Sequence, residues 1–171
     1  MEPLEAILKR RSIRKFKKTK IPKEKIEKLK EALIWAPSAG NLQARKFYFV
    51  FNEKIKKDLS KAALNQMFIA SAPLVVVCCC DLEKISPYGE RGKNLYTICD
   101  VCAAIENLMI VATAENLGTC WVGAFDENRV SQILNLPKNE RPIAIIPVGF
   151  PDENPQPPKR YSKEILIEEI E

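Results

Sequence analysis

The sequence predicts an α+β fold in which a central, mainly antiparallel sheet is flanked by helices. Three observations carry that prediction. Segments with helical apolar spacing are interleaved with short, almost wholly apolar runs, Phe47–Phe51, Leu74–Cys80 and Ile143–Gly149, whose length suits buried strands. No glycine-rich turn joins a strand to a following helix, which argues against a regular parallel βαβ series. The stretch Leu108–Ala112 is apolar on every side of its helix, so that helix must be covered all round, in the core or against another chain.

Each element has its own local reason. Leu4, Ile7 and Leu8 mark one face of a first helix that runs into the basic cluster Lys9–Lys18. Pro22 opens a second helix, with Glu24 and Glu27 in its early turns and Ile26, Leu29, Leu33 and Ile34 expected on its inner face. Pro37–Asn41 stops it in a loop of turn formers. Phe47–Phe51 is a strand expected to be covered on both faces, and Ile55, Leu59, Ala62 and Ala63 give a short amphipathic helix. After the Leu74–Cys80 strand comes a loose polar stretch with Pro87, Gly89 and Gly92. Leu95–Asn116 is the longest helix, with Gly118 expected as its C-terminal cap. Asp126 caps a helix carrying Val130, Ile133 and Leu134, which ends at Pro137. Pro151–Pro158, with prolines at 151, 155, 157 and 158, cannot be helix or central strand and is expected to form an extended arm carrying Lys159-Arg160. Ser162 then caps a short final helix. Residues 1–171 form one domain on this reading, with 151–171 as the arm and last helix.

Composition narrows the function. With 171 residues, 46% hydrophobic and 29% charged, the chain has an ordinary globular balance. Met1-Glu2-Pro3-Leu4-Glu5 has no apolar signal core, and the longest mid-chain apolar stretch, Ala72–Cys80, is too short to span a bilayer. A cytoplasmic protein with no membrane partner is expected. The net charge of +5 is concentrated at Lys9–Lys18 and Lys159-Arg160, two small clusters that suit one compact anion better than nucleic acid. Six cysteines without a secretion signal are expected as free thiols, and Cys99-x-x-Cys102 alone is a weak metal signal, so no metal site is expected. The chain has no histidine, which excludes histidine acid–base and triad chemistry. Neither GxGxxG nor GxxxxGK[ST] is present. Few protein acids and bases point to a bound cofactor that carries the reaction.

Three runs are candidates to hold it. Arg10-Arg11-Ser12-Ile13-Arg14 offers forked guanidinium donors and a hydroxyl suited to phosphate, or else is the solvated end of a helix. In Pro37–Gln43, Ser38, Asn41 and Gln43 can grip hydroxyls or a heterocycle edge, or simply form a turn. In Gly118–Asp126, Gly123 followed by a small residue lets a flat ring approach backbone donors, or serves turn geometry alone.

Taken together with Ile69-Ala70-Ser71-Ala72-Pro73, Asp100–Asn107 and Val148-Gly149-Phe150-Pro151, these runs resemble the nitroreductase family of FMN proteins, in the family's order and over nearly the whole chain. The resemblance implies a layered nitroreductase-like fold and a homodimer with an extended C-terminal arm. It implies that Arg10, Arg11, Ser12 and Arg14 hold the FMN phosphate and ribityl chain, joined by Lys159 and Arg160. Ser38, Asn41 and Gln43 would reach the flavin from the other subunit, Gln66 would lie beside the ring, and Val122, Gly123 and Ala124 would present backbone donors to its O4 and N5 edge. NADH or NADPH would be the electron donor, and nitroaromatics, quinones or free flavin the acceptors. Alternatives are a flavin-fragmenting or dehalogenating relative, and a flavin-storage or sensing protein without efficient turnover. Two departures stand out: Ala44-Arg45 replace the family's frequent Pro-Trp after Gln43, and the segment between Cys80 and Leu95 is brief, which implies an open ring face and broad specificity.

Overall fold

The computed structural model, which describes residues 1–170, has one antiparallel sheet in the order β1 (Arg45–Val50), β2 (Leu74–Asp81), β4 (Glu140–Gly149), β3 (Gly118–Thr119). The register runs from Arg45 opposite Cys80 to Val50 opposite Val75, and sets Leu74 opposite Val148 and Gly118 opposite Gly149. Every residue from Leu74 to Cys80 is buried, because β2 lies inside the sheet with both faces covered. Alternate side chains divide the core. Leu74, Val76, Cys78 and Cys80 pack with Ala144, Ile146 and Val148 under α2 (Lys23–Ile34) and α6 (Thr97–Ala114). Val75, Val77, Cys79 and Ile145 face α3 (Glu53–Ala62), α4 (Phe68–Ser71) and α7 (Glu127–Leu134). Each fully buried valine or leucine in these layers contributes about 1.5–3 kcal/mol.

The remaining elements are α1 (Pro3–Lys9), which packs against α6, α5 (Gly89–Arg91) and α8 (Lys163–Leu166). A π-helical stretch, Gly92–Tyr96, joins α5 to α6, so the expected loose segment is largely helical. The stretch Ser86–Ala114 is long and apolar enough to cross a membrane by length and composition, yet α6 packs on the sheet as a core helix.

Several sequence expectations change. β1 is an edge strand, so Phe47, Tyr48 and Phe49 are only half-buried. The basic run does not continue α1: Arg10 has ψ 131, and the chain runs extended, pairing Ser12 with Thr119 and Phe16 with Pro151. Asn116, at φ +59, takes the left-handed position expected of Gly118, which instead lies in β3. A Cβ on Gly118 would sit 2.6 Å from Ile13 Cγ1, so glycine is needed for close approach of the N-terminal segment. Ile34 faces outward at 56% exposure. On α6, Leu108, Met109 and Ala112 are buried while Ile110 and Val111 are half-buried. The Ser162 side chain caps no backbone N–H of α8.

Candidate cofactor site

Residues 10–17 form a strap between β3 and the start of the C-terminal arm. The Ile13 N–H donates to Thr119 O (2.9 Å), Lys17 N–H to Phe150 O (2.9 Å), and Asp152 N–H to Lys15 O (2.9 Å). Extended backbone sends alternate side chains to opposite sides, so Arg10, Ser12 and Arg14 share one side and Arg11 and Ile13 the other. Ile13 fills the core. The Arg11 guanidinium donates to Leu8 O and Arg10 O, both at 2.7 Å. Arg11, expected beside Arg10 and Arg14, is thus engaged at the end of α1.

Ser12 pairs with Thr119, the residue before the buried Cys120. Burial pushes that thiol up, while Arg14, a hydrogen bond with the Ser12 side chain and Arg10 pull it down, and Glu153 pushes it up again. The Arg14 guanidinium lies 5.9 Å from the centre of the Phe68 ring. The Glu153 carboxylate accepts from the backbone N–H groups of Arg14 and Lys15, the latter at 3.1 Å.

The loop after Cys120 completes this corner. Val122 exchanges both backbone hydrogen bonds with Ile145, at 3.0 and 2.9 Å, so its N–H is committed inside the sheet. The Val122 N–H is therefore not open to a ligand, whereas Gly123 and Ala124 are exposed and their N–H groups have no partner among the described residues. A Cβ on Gly123 would approach nothing closer than Trp121 Nε1 at 3.9 Å. Gln66 Nε2 donates to Ala124 O (3.2 Å) and Ala63 O (3.0 Å), which places its side chain beside the same loop. Cations at one end and open amides at the other can hold a phosphate and the polar edge of a ring.

Ser38, Asn41 and Gln43 lie elsewhere. Asn41 (φ +55) and Gln43 (φ +52) are exposed in a tight loop where Ser38 Oγ accepts from Gln43 N–H (3.1 Å). Two residues that sequence reasoning did not single out for this task hold that loop. Asp100 Oδ1 accepts from Ala39 N–H (3.0 Å), and its Oδ2 is buried without a partner among the described residues. Arg45, 7% exposed, donates to the carbonyls of Ile34, Ala36, Pro37 and Asp100. An arginine opening a strand gives no local sign that it turns back beneath a helix end.

The two groups occupy opposite corners of the sheet. Arg45 pairs with Cys80 on one edge, while Thr119 on the other edge pairs with Val148, which pairs with Leu74. Three strand spacings across and six residues along correspond to a separation of roughly 24 Å. The core separates them as well, since Arg14 stacks beside Phe68 on the α4 side, whereas the 38–43 loop follows α2 on the other. Lys159 and Arg160 are exposed in the arm and make no hydrogen bond or ion pair among the described residues.

A cavity of about 720 Å³ is apart from these groups, lined by Phe16, Lys18, Lys20, Phe51, Lys56 and Ser71 among others. Lys56 is already satisfied there by Ala72 O (2.6 Å) and Glu53 (2.8 Å). Burial pushes the Cys78, Cys79 and Cys80 thiols up, which disfavours thiolate chemistry. No three acidic or thiol side chains gather as a metal site among the described residues.

The Nitroreductase family profile matches residues 7–94 and 65–150. A Methanothermobacter thermautotrophicus protein, provisionally named as an NADH dehydrogenase/NAD(P)H nitroreductase, is 32% identical over 161 residues, covering 91% of this chain and 80% of that protein. The Vibrio harveyi NADPH:FMN oxidoreductase, solved in complex with NAD+, has a TM-score of 0.91 at 25% identity, covering 99% of this chain and 77% of its own. An iodotyrosine deiodinase of Haliscomenobacter hydrossis is 26% identical over 181 residues, covering 91% of this chain and 82% of the relative.

Proposed function

The chain belongs to the nitroreductase family, and from that membership we propose that it is an FMN-dependent oxidoreductase using NADH or NADPH to reduce nitroaromatics, quinones or free flavin. The observation that carries the cofactor reading is that Arg10, Ser12 and Arg14 share one side of an extended strap that pairs at Ser12 with Thr119, four residues before the open N–H groups of Gly123 and Ala124. These residues fit FMN: the cations and hydroxyl suit a single terminal phosphate, and the glycine leaves room for a flat ring. When bound, FMN supplies the hydride and electron transfer. Arg10, Ser12 and Arg14 hold the phosphate, with Lys159 and Arg160 drawn in from the arm. The Gly123 and Ala124 amides donate to the O4 and N5 edge and favour negative charge there. Gln66 keeps that loop in place through Ala124.

Ser38, Asn41 and Gln43 serve the site of a second copy, so the working unit is a homodimer with two flavins at its boundary. Two observations support this. The two residue groups are at opposite corners of one chain, and the packed helices α1, α2 and α6 leave Leu4, Leu8, Ile34 and Trp35 exposed with Ile110 and Val111 half-covered. We assign the protein to the cytoplasm, where its free thiols persist.

The test is the pigment of the purified protein and its anaerobic reduction by each nicotinamide. FMN released on denaturation and rapid oxidation of NADH or NADPH are expected. A colourless protein that ignores added FMN, or one that releases FAD, would overturn the proposal. The deiodinase relative favours reductive dehalogenation as a second reading, which a halotyrosine acceptor tests in the same assay.

A further inference from the structure

We propose that Glu153 is a positioning residue for the phosphate cradle, clasping the successive backbone N–H groups of Arg14 and Lys15 and thereby fixing the direction of Arg14 and the pivot of the C-terminal arm. The inference rests on the FMN reading of the site above.

In a regular strand, successive N–H groups point to opposite sides, whereas those of Arg14 and Lys15 both reach one carboxylate oxygen. That oxygen, Glu153 Oε1, occupies both donors. Left empty, two converging N–H groups beside Arg10 and Arg14 would attract a phosphate to the backbone of the strap instead of to the forked side chains. With Glu153 in place, the phosphate is left to Arg10, Ser12 and Arg14, and the backbone carrying Arg14 is held on two bonds.

The same contact sets where the arm begins. Phe150 and Asp152 hydrogen-bond to Lys17 and Lys15, and Glu153 extends that ladder by its side chain to Arg14. From Gln156 to Ile170 the chain is exposed throughout. Lys159 lies six residues beyond Glu153, a reach of about 19 Å in the extended form that prolines favour. Pinning the arm at Arg14 therefore tethers the second cationic pair within range of the first and raises its effective concentration there.

Glu153 also acts against the phosphate, since its charge repels an anion bound nearby. Positioning and repulsion have opposite signs, and substitution separates them. Glu153→Gln keeps an oxygen acceptor and removes the charge. Glu153→Asp keeps the charge but withdraws the oxygen by one methylene. Glu153→Ala removes both. FMN and riboflavin, which lacks the phosphate, are titrated against each variant by flavin fluorescence, with thermal melts alongside. The ratio of FMN to riboflavin affinity should fall about tenfold in Glu153→Asp, the scale of one lost charge-assisted hydrogen bond, and less in Glu153→Ala, where the lost repulsion offsets part of the lost positioning. Riboflavin affinity should stay within about twofold in both. Glu153→Gln should match or exceed the parent for FMN. Equal loss of both flavins would show a general structural role and overturn the inference, as would an unchanged ratio in Glu153→Asp or Glu153→Ala, or a Gln variant as weak as Ala. A parent that binds neither flavin would instead overturn the FMN reading itself.

Discussion

Replacing Arg45 by methionine tests how the Ser38–Gln43 loop is held. Nη1 of Arg45 donates to Pro37 O at 2.9 Å and Asp100 O at 3.2 Å, and Nη2 to Ile34 O at 3.0 Å and Ala36 O at 2.6 Å. The Ile34 carbonyl belongs to the last residue of α2, where a helix has no partners of its own, and Ala36 follows its cap. Methionine fills much of the volume but donates nothing, so four acceptors lose their donor. At about 1 kcal/mol net per bond, the gross loss is about 4 kcal/mol. Burying the guanidinium already works against the native state, as its lowered pKa shows, with Asp100 only partly compensating. Removing that burden leaves a net destabilisation of about 2–4 kcal/mol. Lysine, a point charge that cannot fork to four carbonyls, should fall between methionine and the parent. Urea denaturation reads both values, with the slope checking that the transition remains two-state. The loosened loop should also weaken FMN binding. A methionine variant within about 0.5 kcal/mol of the parent would show that the four bonds contribute nothing net.

Other outcomes follow from the same geometry. Gly118→Ala places a methyl 2.6 Å from Ile13 Cγ1, so the strap must shift, at a cost of about 1–3 kcal/mol read by thermal melting, with weaker FMN binding in parallel. Arg10→Ala or Arg14→Ala should weaken FMN binding by roughly tenfold or more, and Arg11→Ala far less, by fluorescence titration. Mixing Arg14→Ala subunits with Asn41→Ala subunits should restore one intact flavin site per mixed dimer, a recovery that a site within one chain does not allow. The buried Cys80 thiol, pushed up to about 11 by desolvation first, keeps its proton in the native state while the unfolded chain releases it. Its contribution is therefore complete below about pH 9 and fades as pH rises towards 11, by up to about 2.7 kcal/mol in denaturant titrations at stepped pH. A flat profile across that interval would contradict the burial of this strand.

What the sequence determined by itself was whatever rests on local pattern. Leu74–Cys80 is a buried strand because an unbroken apolar run of that length has no other place in a folded chain. Asp126 marks a helix start because its carboxylate accepts from Arg129 N–H, a bond made within four residues. The lack of histidine excluded a class of chemistry without reference to any fold. Tertiary structure decided what depends on pairing between distant segments. The strap's extended course is set by Thr119 and Pro151, more than a hundred residues away, and only that course tells Arg10 and Arg14 from Arg11. Val122 loses its donor role to Ile145 by the same kind of pairing. Gly118, legible as a helix cap, is required instead by the approach of Ile13. The separation of Ser38 and Asn41 from the arginines comes from strand order and register. Side-chain periodicity records which face a residue turns inward, whereas the partner strand, and with it the corner of the sheet where a residue lands, is chosen by the packing of the whole chain.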